Sequence, residues 1–245
     1  MPLITLTTAK SAMAGMNNNT NYSGARQASS SNYSTVNTNS TNIKAVEFFR
    51  SAGRGSATFR FARAFFAYDF TGYETADGTM TNLKWNFRGG SGSNSNVITR
   101  LVKTSAFGSG VGSNYANSDW WNSLTLGTTY NPSSGANATW NSGTSDQSWT
   151  LSSNAITAAQ TDGFLKFAAM NSLWDYSGNM PALDVYQVSN INNSISGLYT
   201  RANITFDWVP AATGYKNSVN GVLPEDIKKV NTVSTLTIEN IMGVN

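Results

Sequence analysis

Residues 56–88 read SATFRFARAFFAYDF, then the turn TGYETADG, then TMTNLKWNFR. In the last run Leu83, Trp85 and Phe87 alternate with polar residues, the period of two that is typical of a strand with one buried face. We therefore predict a hairpin of two long strands around which the rest of the chain packs. The first run shifts its apolar positions by one residue near Ala62–Ala64, and this shift predicts a β-bulge there.

The composition favours strands over helices. Only 12% of the 245 residues are charged, and Asn, Ser, Thr and Gly are abundant. Asn, Ser and Thr compete for the backbone hydrogen bonds of a helix, and Gly destabilises a helix. Apolar patterning predicts further strands at residues 45–50, 96–103, 123–126, 138–140, 147–151, 164–169, 182–186 and 197–209.

One short helix is predicted between two of these strands. Asn154 is placed to cap residues 155–160, and Gly163 is placed to end the helix. In the last strand Ile204 and Trp208 belong to an alternating apolar set that we expect in the core with Trp85. Eight or more antiparallel strands joined by polar turns predict an all-β fold, an antiparallel β-sandwich of jelly-roll type.

Three segments follow from the changes in composition. Residues 1–43 are predicted to be an extended polar arm, residues 44–212 the β-sandwich domain, and residues 213–245 a C-terminal repeat segment. The arm is rich in Asn, Ser and Thr, and such a segment cannot bury enough apolar surface to offset its ordering entropy alone. It is therefore either a tail or an arm that orders on a partner, and the predicted division treats it as an arm.

The C-terminal segment contains a unit that recurs every 11 residues. The unit reads VNGV at 219–222, VNTV at 230–233 and IMGV at 241–244. An 11-residue helical repeat and small strand-and-turn units both fit, and Asn220-Gly221 with Pro224 favours the second. So short an apolar segment needs a neighbour, and we predict an oligomer or docking interface formed by Val219, Val222, Ile227, Val230, Val233, Ile238, Ile241 and Val244.

The chain contains no histidine and no cysteine. This excludes a Ser-His-Asp triad, a cysteine nucleophile, the usual zinc sites and disulfide bonds. The net charge is only +3 and the basic residues are scattered, so no nucleic-acid partner is expected. No stretch approaches the roughly 20 apolar residues that cross a bilayer, and we expect a protein without a membrane span, made in a cytoplasm.

Paired carboxylates are the enzymatic route that remains, because a glycosidase needs two of them about 5 to 9.5 Å apart. The candidates are Asp69, Glu74, Asp77 and Asp184. Asp69 and Asp77 flank the predicted turn, where Asp is favoured for local backbone bonding, so we expect no enzyme and no cofactor. The same oxygens could hold a structural calcium ion, although their spacing does not form a ligand loop.

Several tryptophans lie in or beside polar loops, where aromatic faces can serve as sugar platforms. The candidates for glycan contact are Trp120, Trp121, Trp140 and Trp149, and Trp174 lies in a similar setting. Adjacent Trp120 and Trp121 would point to opposite sides of an extended backbone, so one of them is expected in the core. The alternative for these residues is structural packing.

Two patterns carry a family resemblance. The motif Phe-x-Tyr-Asp-Phe-Thr-Gly-Tyr at 66–73, the strand at 80–87 and the late strand ending near Trp208 resemble the β-sandwich modules of phage and bacterial surface proteins. The C-terminal unit is similar to the Val-Asn-Gly-Val repeats at the ends of tail, fibre and other virion proteins of marine and cyanobacterial phages.

The resemblance implies a non-enzymatic virion component assembled in the host cytoplasm. We expect a homo-oligomer, a trimer, that acts as a tail fibre or baseplate-associated appendage and docks on other virion proteins through residues 1–43. Two alternatives stay open. One is a head decoration protein that cements the capsid, and the other is a carbohydrate-binding module that contacts host surface glycans.

Overall fold

The computed structural model describes residues 2–29, 31, 33–36, 42–52, 56–89, 96–109, 119–131, 138–140, 145–192, 202–211, 229–230 and 233–234. Within these residues the helices are α1 (Tyr22–Arg26) and α2 (Ser153–Asp162), with a 3-10 turn at Asp119–Asn122 and a π-helical turn at Ser172–Tyr176. The strands are β1 (Leu3–Thr7), β2 (Lys10–Asn19), β3 (Tyr33–Val36), β4 (Asn42–Ser51), β5 (Thr58–Asp69), β6 (Gly78–Arg88), β7 (Val97–Thr104), β8 (Leu124–Thr129), β9 (Ala138–Trp140), β10 (Asp146–Thr150), β11 (Phe164–Asn171), β12 (Val185–Asn192), β13 (Asn203–Pro210), β14 (Lys229–Val230) and β15 (Val233–Ser234).

Eight of these strands form a jelly roll. The smaller sheet has the order β1-β13-β6-β10, and the larger sheet contains the run β5-β11-β7-β8. If the eight strands are numbered along the chain, the orders are 1-8-3-6 and 2-7-4-5, which is the strand order of a double-sheet jelly roll. All of these pairs are antiparallel, so the predicted all-β antiparallel sandwich of jelly-roll type is confirmed.

The two strands of the predicted hairpin do not pair with each other. β5 lies in the larger sheet and β6 in the smaller one, and residues 70–77 carry the chain from one sheet to the other. The two strands meet across the core, where the rings of Phe66 and Trp85 are 5.0 Å apart between centroids. The alternation of β6 was read correctly, because Leu83, Trp85 and Phe87 are fully buried.

The predicted bulge at Ala62–Ala64 is absent, because β5 keeps a continuous register with its neighbours there. β5 is instead buried on both faces, so its apolar residues do not need to share one face. β2 pairs along one edge of β5. Along the other edge, β5 pairs with β4 up to Arg63 and with β11 from Ala64 onwards. The larger sheet therefore forks at the position where the sequence pattern shifts.

A register shift does occur in the smaller sheet. Between β6 and β13 the pairing moves from Thr205↔Lys84 to Asp207↔Thr81, which leaves one extra residue in β6. Asn82 has φ of 53° there, and its side-chain amide donates to Asp207 Oδ2 at 2.6 Å. Asn is among the few residues that accept this left-handed conformation, which a bulge often requires.

The N-terminal segment belongs to the sandwich. β1 pairs with β13, and β2 runs beside β5 from Lys10↔Ala67 to Asn19↔Phe59. Ala12 and Ala14 are fully buried, and Tyr22 of α1 is nearly so. This corrects the prediction of an arm over residues 1–43 for residues 3–26. The apolar surface that orders the segment is supplied by β5, which a reading of the segment alone could not include.

Two hydrophobic clusters lie on opposite faces of β5. The inner core fills the space between the two sheets and contains Phe66, Tyr68, Trp85, Phe87, Trp140, Trp149, Phe167, Phe206 and Trp208 among others. The outer core lies on the other face of the larger sheet and contains Tyr22, Phe48, Phe59, Phe61, Phe65, Phe107 and Trp121 among others. α1, the 3-10 turn and the π-helical turn contribute to the layer that covers the outer core.

The predicted helix is present as α2 and begins earlier than expected. Ser152, rather than Asn154, occupies the N-cap position. Gly163 ends the helix in the left-handed conformation with φ of 67°, as the sequence predicted. Ala155 and Ala159 of α2 are buried in the inner core, and the Gln160 side chain donates to the Gly78 carbonyl at 3.1 Å.

Candidate interaction surfaces

Three of the four tryptophans proposed for glycan contact lie inside the two cores. Trp121 belongs to the outer core, and its indole N–H donates to the Ala25 carbonyl at 3.0 Å. Trp140 and Trp149 belong to the inner core, where their ring centroids are 5.6 Å apart. The side chain of Trp120 lies outside the described residues. In this structure the three described indoles offer no open face to a sugar, and their position fits the alternative of structural packing.

The eight predicted interface residues of the C-terminal repeat lie outside the described residues, except for two strand positions. Val230 pairs with Val233 and Lys229 with Ser234 in a short antiparallel ladder. Val230 and Val233 are the two ends of the second VNGV-like unit, and the rest of the repeat lies outside the described residues.

Two of the four candidate carboxylates, Asp69 and Glu74, accept hydrogen bonds from nearby residues, whereas Asp184 accepts one from Arg50 at 3.0 Å. Asp69 accepts hydrogen bonds from the backbone N–H and the hydroxyl of Thr71 at 2.9 and 2.7 Å. Glu74 accepts from Gly72 N–H at 2.8 Å. Both belong to the connection between β5 and β6, where Asp77 also lies, whereas Asp184 precedes β12. In the described residues, no group of three or more acidic side chains could hold a metal ion.

A buried ion pair lies in the outer core at the fork of the larger sheet. Arg63 Nε donates to Asp175 Oδ2 at 2.8 Å and Nη2 donates to Oδ1 at 2.6 Å, a two-point contact between planar groups. Arg63 Nη1 also donates to the Trp121 carbonyl at 2.8 Å, and Nη2 donates to the Arg26 carbonyl at 3.0 Å. The guanidinium carbon lies 3.7 Å from the centroid of the Trp121 ring system.

Arg63 therefore joins β5 to the three short elements that contribute to the cover of the outer core. Asp175 belongs to the π-helical turn, Trp121 to the 3-10 turn, and Arg26 to α1. In the sequence, Arg63 lies within the shift of apolar positions near Ala62–Ala64 that was interpreted as a bulge. The available signal was a charged residue within a continuous apolar run. Such a residue indicates a buried charge, but the run does not show which residue elsewhere in the chain is its partner.

A groove of about 540 Å³ that contains three charged side chains lies where β7 ends and β11 begins. Lys103 Nζ lies 3.2 Å from Asp162 Oδ2, and Lys166 Nζ donates to the Gly108 carbonyl at 2.6 Å. Burial lowers the pKa of Lys166, Asp162 opposes this shift, and Lys103 adds to it. The charged residues of the groove come from three separate elements, and no local motif predicts them.

Three exposed apolar residues lie in β12 or in the segment just before it. Met180, Leu183 and Tyr186 have relative exposures of 60%, 78% and 47%. The guanidinium of Arg60 lies 4.1 Å from the centroid of the Phe49 ring and 5.8 Å from that of Tyr186. No sequence pattern marks these three residues, because each is an ordinary residue in a short polar segment.

No protein-family model matches this chain, and a search of curated proteins gives no match. Among the described residues, no helix has the length and apolar character required to cross a membrane.

Proposed function

We propose that this chain is a non-enzymatic structural component of a phage virion, an oligomeric tail fibre or baseplate-associated appendage assembled in the host cytoplasm. The C-terminal repeat holds the copies together, and a trimer is the expected assembly. The chain also contacts other virion proteins, but not through a free arm at residues 3–26, because these residues are part of the sandwich.

The strand order supports this proposal most directly. Eight-stranded double-sheet jelly rolls occur in viral capsid and lectin domains. This support is an analogy between folds, and a fold alone does not define a function. The buried positions of Trp121, Trp140 and Trp149 weaken the lectin reading, because a sugar platform needs an exposed aromatic face.

Light scattering of the purified protein tests the assembly. An assembly of the full chain should contain three times as many copies as an assembly of a chain that ends at Ala212, because truncation removes the repeat. The shortened chain should keep its fold, since Ala211 N–H still donates to the Asp77 carbonyl at 2.7 Å. Circular dichroism checks this. An unchanged copy number would remove the repeat from the assembly.

Immunogold electron microscopy of virions that carry the protein tests its position. Antibodies against the sandwich should label the tail or the baseplate. Labelling spread over the capsid surface would favour the head decoration alternative, and unlabelled virions with no protein detected by mass spectrometry would contradict the virion proposal altogether.

A further inference from the structure

The groove at the start of β11 lies where two strands separate. The ladder between β7 and β11 ends at Lys103↔Phe167, although β11 begins three residues earlier, at Phe164. Neighbouring residues of a strand point to opposite faces of a sheet, so a continuous ladder would keep Lys103 and Lys166 apart. Beyond the last pair lies the groove of about 540 Å³, and both lysines line it together with Asp162. Three charged side chains therefore share one opening.

The groove carries an excess of positive charge. Lys103 Nζ lies 3.2 Å from Asp162 Oδ2, and Lys166 Nζ donates to the neutral carbonyl of Gly108 at 2.6 Å. One carboxylate therefore balances two ammonium groups. An ammonium group has three N–H donors, and each of these contacts uses one of them. The remaining donors suit an oxyanion, which accepts charge-assisted hydrogen bonds.

The pKa of Lys166 agrees with an incomplete balance of charge. Burial has the largest effect and lowers this pKa, Asp162 raises it, and Lys103 lowers it again. The pKa is lowered overall, so the surroundings of Lys166 do not fully compensate the charge of its ammonium group. An anion bound next to Lys166 would restore the balance.

Tyr130 adds a buried polar group to the groove. Only 1% of its surface is exposed, and it lines the groove with the charged residues. Burial raises the pKa of its phenol and Asp162 raises it further, which indicates that the phenol lies near this carboxylate. Among the described residues, the Tyr130 hydroxyl has no hydrogen-bond partner. Buried polar groups rarely remain unpaired, so this hydroxyl is suited to bind a ligand in the groove.

The neighbouring surface is neutral and rich in hydroxyl groups. A second groove of about 290 Å³ shares Lys103, Tyr130 and Asp162 with the first. Its wall along α2 consists of polar side chains and one alanine, and the polar ones are Asn154, Thr157 and Thr161. In the first groove Phe164 supplies an aromatic ring that is partly exposed. Hydroxyl and amide groups bind the hydroxyls of a sugar, and an aromatic ring packs against its apolar face.

We propose that the two grooves form one binding site for a sugar that carries an oxyanion, of the sugar-acid or sugar-phosphate class. The oxyanion binds between Lys103 and Lys166, and the sugar hydroxyls bind Asp162, Tyr130 and the polar side chains of α2. A neutral sugar or free phosphate satisfies only part of this surface. The site uses none of the tryptophans considered for glycan contact, and it does not depend on a place in a virion.

Saturation-transfer difference NMR with the full chain tests the class of ligand. Glucuronate and glucose 6-phosphate represent the two kinds of acidic sugar, and glucose is the neutral probe. At least one acidic sugar should bind about tenfold more tightly than glucose, because its oxyanion adds charge-assisted hydrogen bonds. Inorganic phosphate should displace it only weakly, since phosphate lacks the sugar hydroxyls. The assignment is overturned if neither acidic sugar binds, if glucose binds equally well, or if phosphate competes as strongly as the sugar itself.

Variants test the location of the site. Lys166→Gln should raise the dissociation constant of the acidic sugar about tenfold, because glutamine can still donate to the Gly108 carbonyl but carries no charge. Tyr130→Phe should raise it about fivefold, since one hydroxyl is lost. Lys84→Gln is the matched control, because Lys84 is an exposed lysine on β6 of the other sheet. Circular dichroism checks the fold of each variant. Equal affinities in Lys166→Gln and Lys84→Gln would mean that the sugar binds elsewhere.

Discussion

The inner core and the outer core share the central strand β5 and are built differently. The inner core is closed on both sides by sheets, and Trp85 packs there with ring centroids 5.0 Å from Phe66 and 5.2 Å from Phe167. The outer core has a sheet on one side, and short helical elements joined by the Arg63–Asp175 pair contribute to its other side. Regular strands can cover a core through packing alone, whereas short turns need specific polar contacts to hold their positions.

Trp85→Ala should cause the largest loss, about 3 to 5 kcal/mol of unfolding free energy, as expected for a large aromatic removed from a packed core. The variant also removes the indole N–H that donates to the Tyr68 hydroxyl at 2.8 Å. Urea unfolding followed by circular dichroism measures the change. A loss below 1 kcal/mol would mean that the inner core does not depend on this residue.

Asp175→Leu tests the outer core and should cost about 3 to 5 kcal/mol, because it leaves the Arg63 guanidinium buried without its anion. The double variant Arg63→Met with Asp175→Leu should lose less stability than the single variant, since no buried charge remains. Urea unfolding of the two variants gives the comparison. A double variant less stable than the single one would contradict this expectation. It would mean that the other contacts of the two side chains stabilise the fold more than the pairing of their charges does.

Alkaline pH should weaken both cores through their buried tyrosines. Burial raises the pKa of Tyr22 in the outer core from 10.0 to about 12, and it also raises the pKa of Tyr68 in the inner core. The folded chain keeps these phenols protonated while the unfolded chain ionises, so the stability is full below pH 10 and falls as the pH rises above it. Each tyrosine should contribute about 1.4 kcal/mol per pH unit.

Urea unfolding between pH 8 and pH 11 measures this slope. Tyr68→Phe and Tyr22→Phe should each reduce the slope of unfolding free energy against pH by the contribution of one tyrosine. The contribution of Tyr22 should persist up to pH 11, because Tyr22 in the folded chain ionises only near pH 12. A flat profile above pH 10 would contradict the burial of both hydroxyl groups.

The sequence predicted the inner core better than the outer core for a physical reason. Leu83, Trp85, Ile204 and Trp208 alternate with polar residues, because each strand of the smaller sheet has only one face in the core. β5 has cores on both faces, so its pattern lacks alternation and was interpreted as a bulge. Alternation reports one buried face and cannot distinguish two buried faces from a change of register.

The candidate surfaces were less predictable than the fold. The exposure of Met180, Leu183 and Tyr186 depends on which residues remain uncovered after the chain has folded, and the Arg63–Asp175 pair joins residues 112 positions apart. Trp121 was correctly assigned to a loop, because it lies in a 3-10 turn. That turn covers a core, however, and the Trp121 side chain is buried. Location in a loop therefore does not establish exposure.

The smallest effect should come from the cover of the outer core. Asn21 caps α1, and its side-chain oxygen accepts a hydrogen bond from Gly24 N–H at 2.8 Å. Asn21→Ala should cost about 1 kcal/mol, because α1 loses this cap, whereas Asn21→Asp should keep it. Hydrogen exchange would show faster exchange in α1 with β6 unchanged. Equal acceleration in both elements would mean that the cover and the sandwich unfold as one unit. The two cores would then differ in the elements that build them but not in their stability.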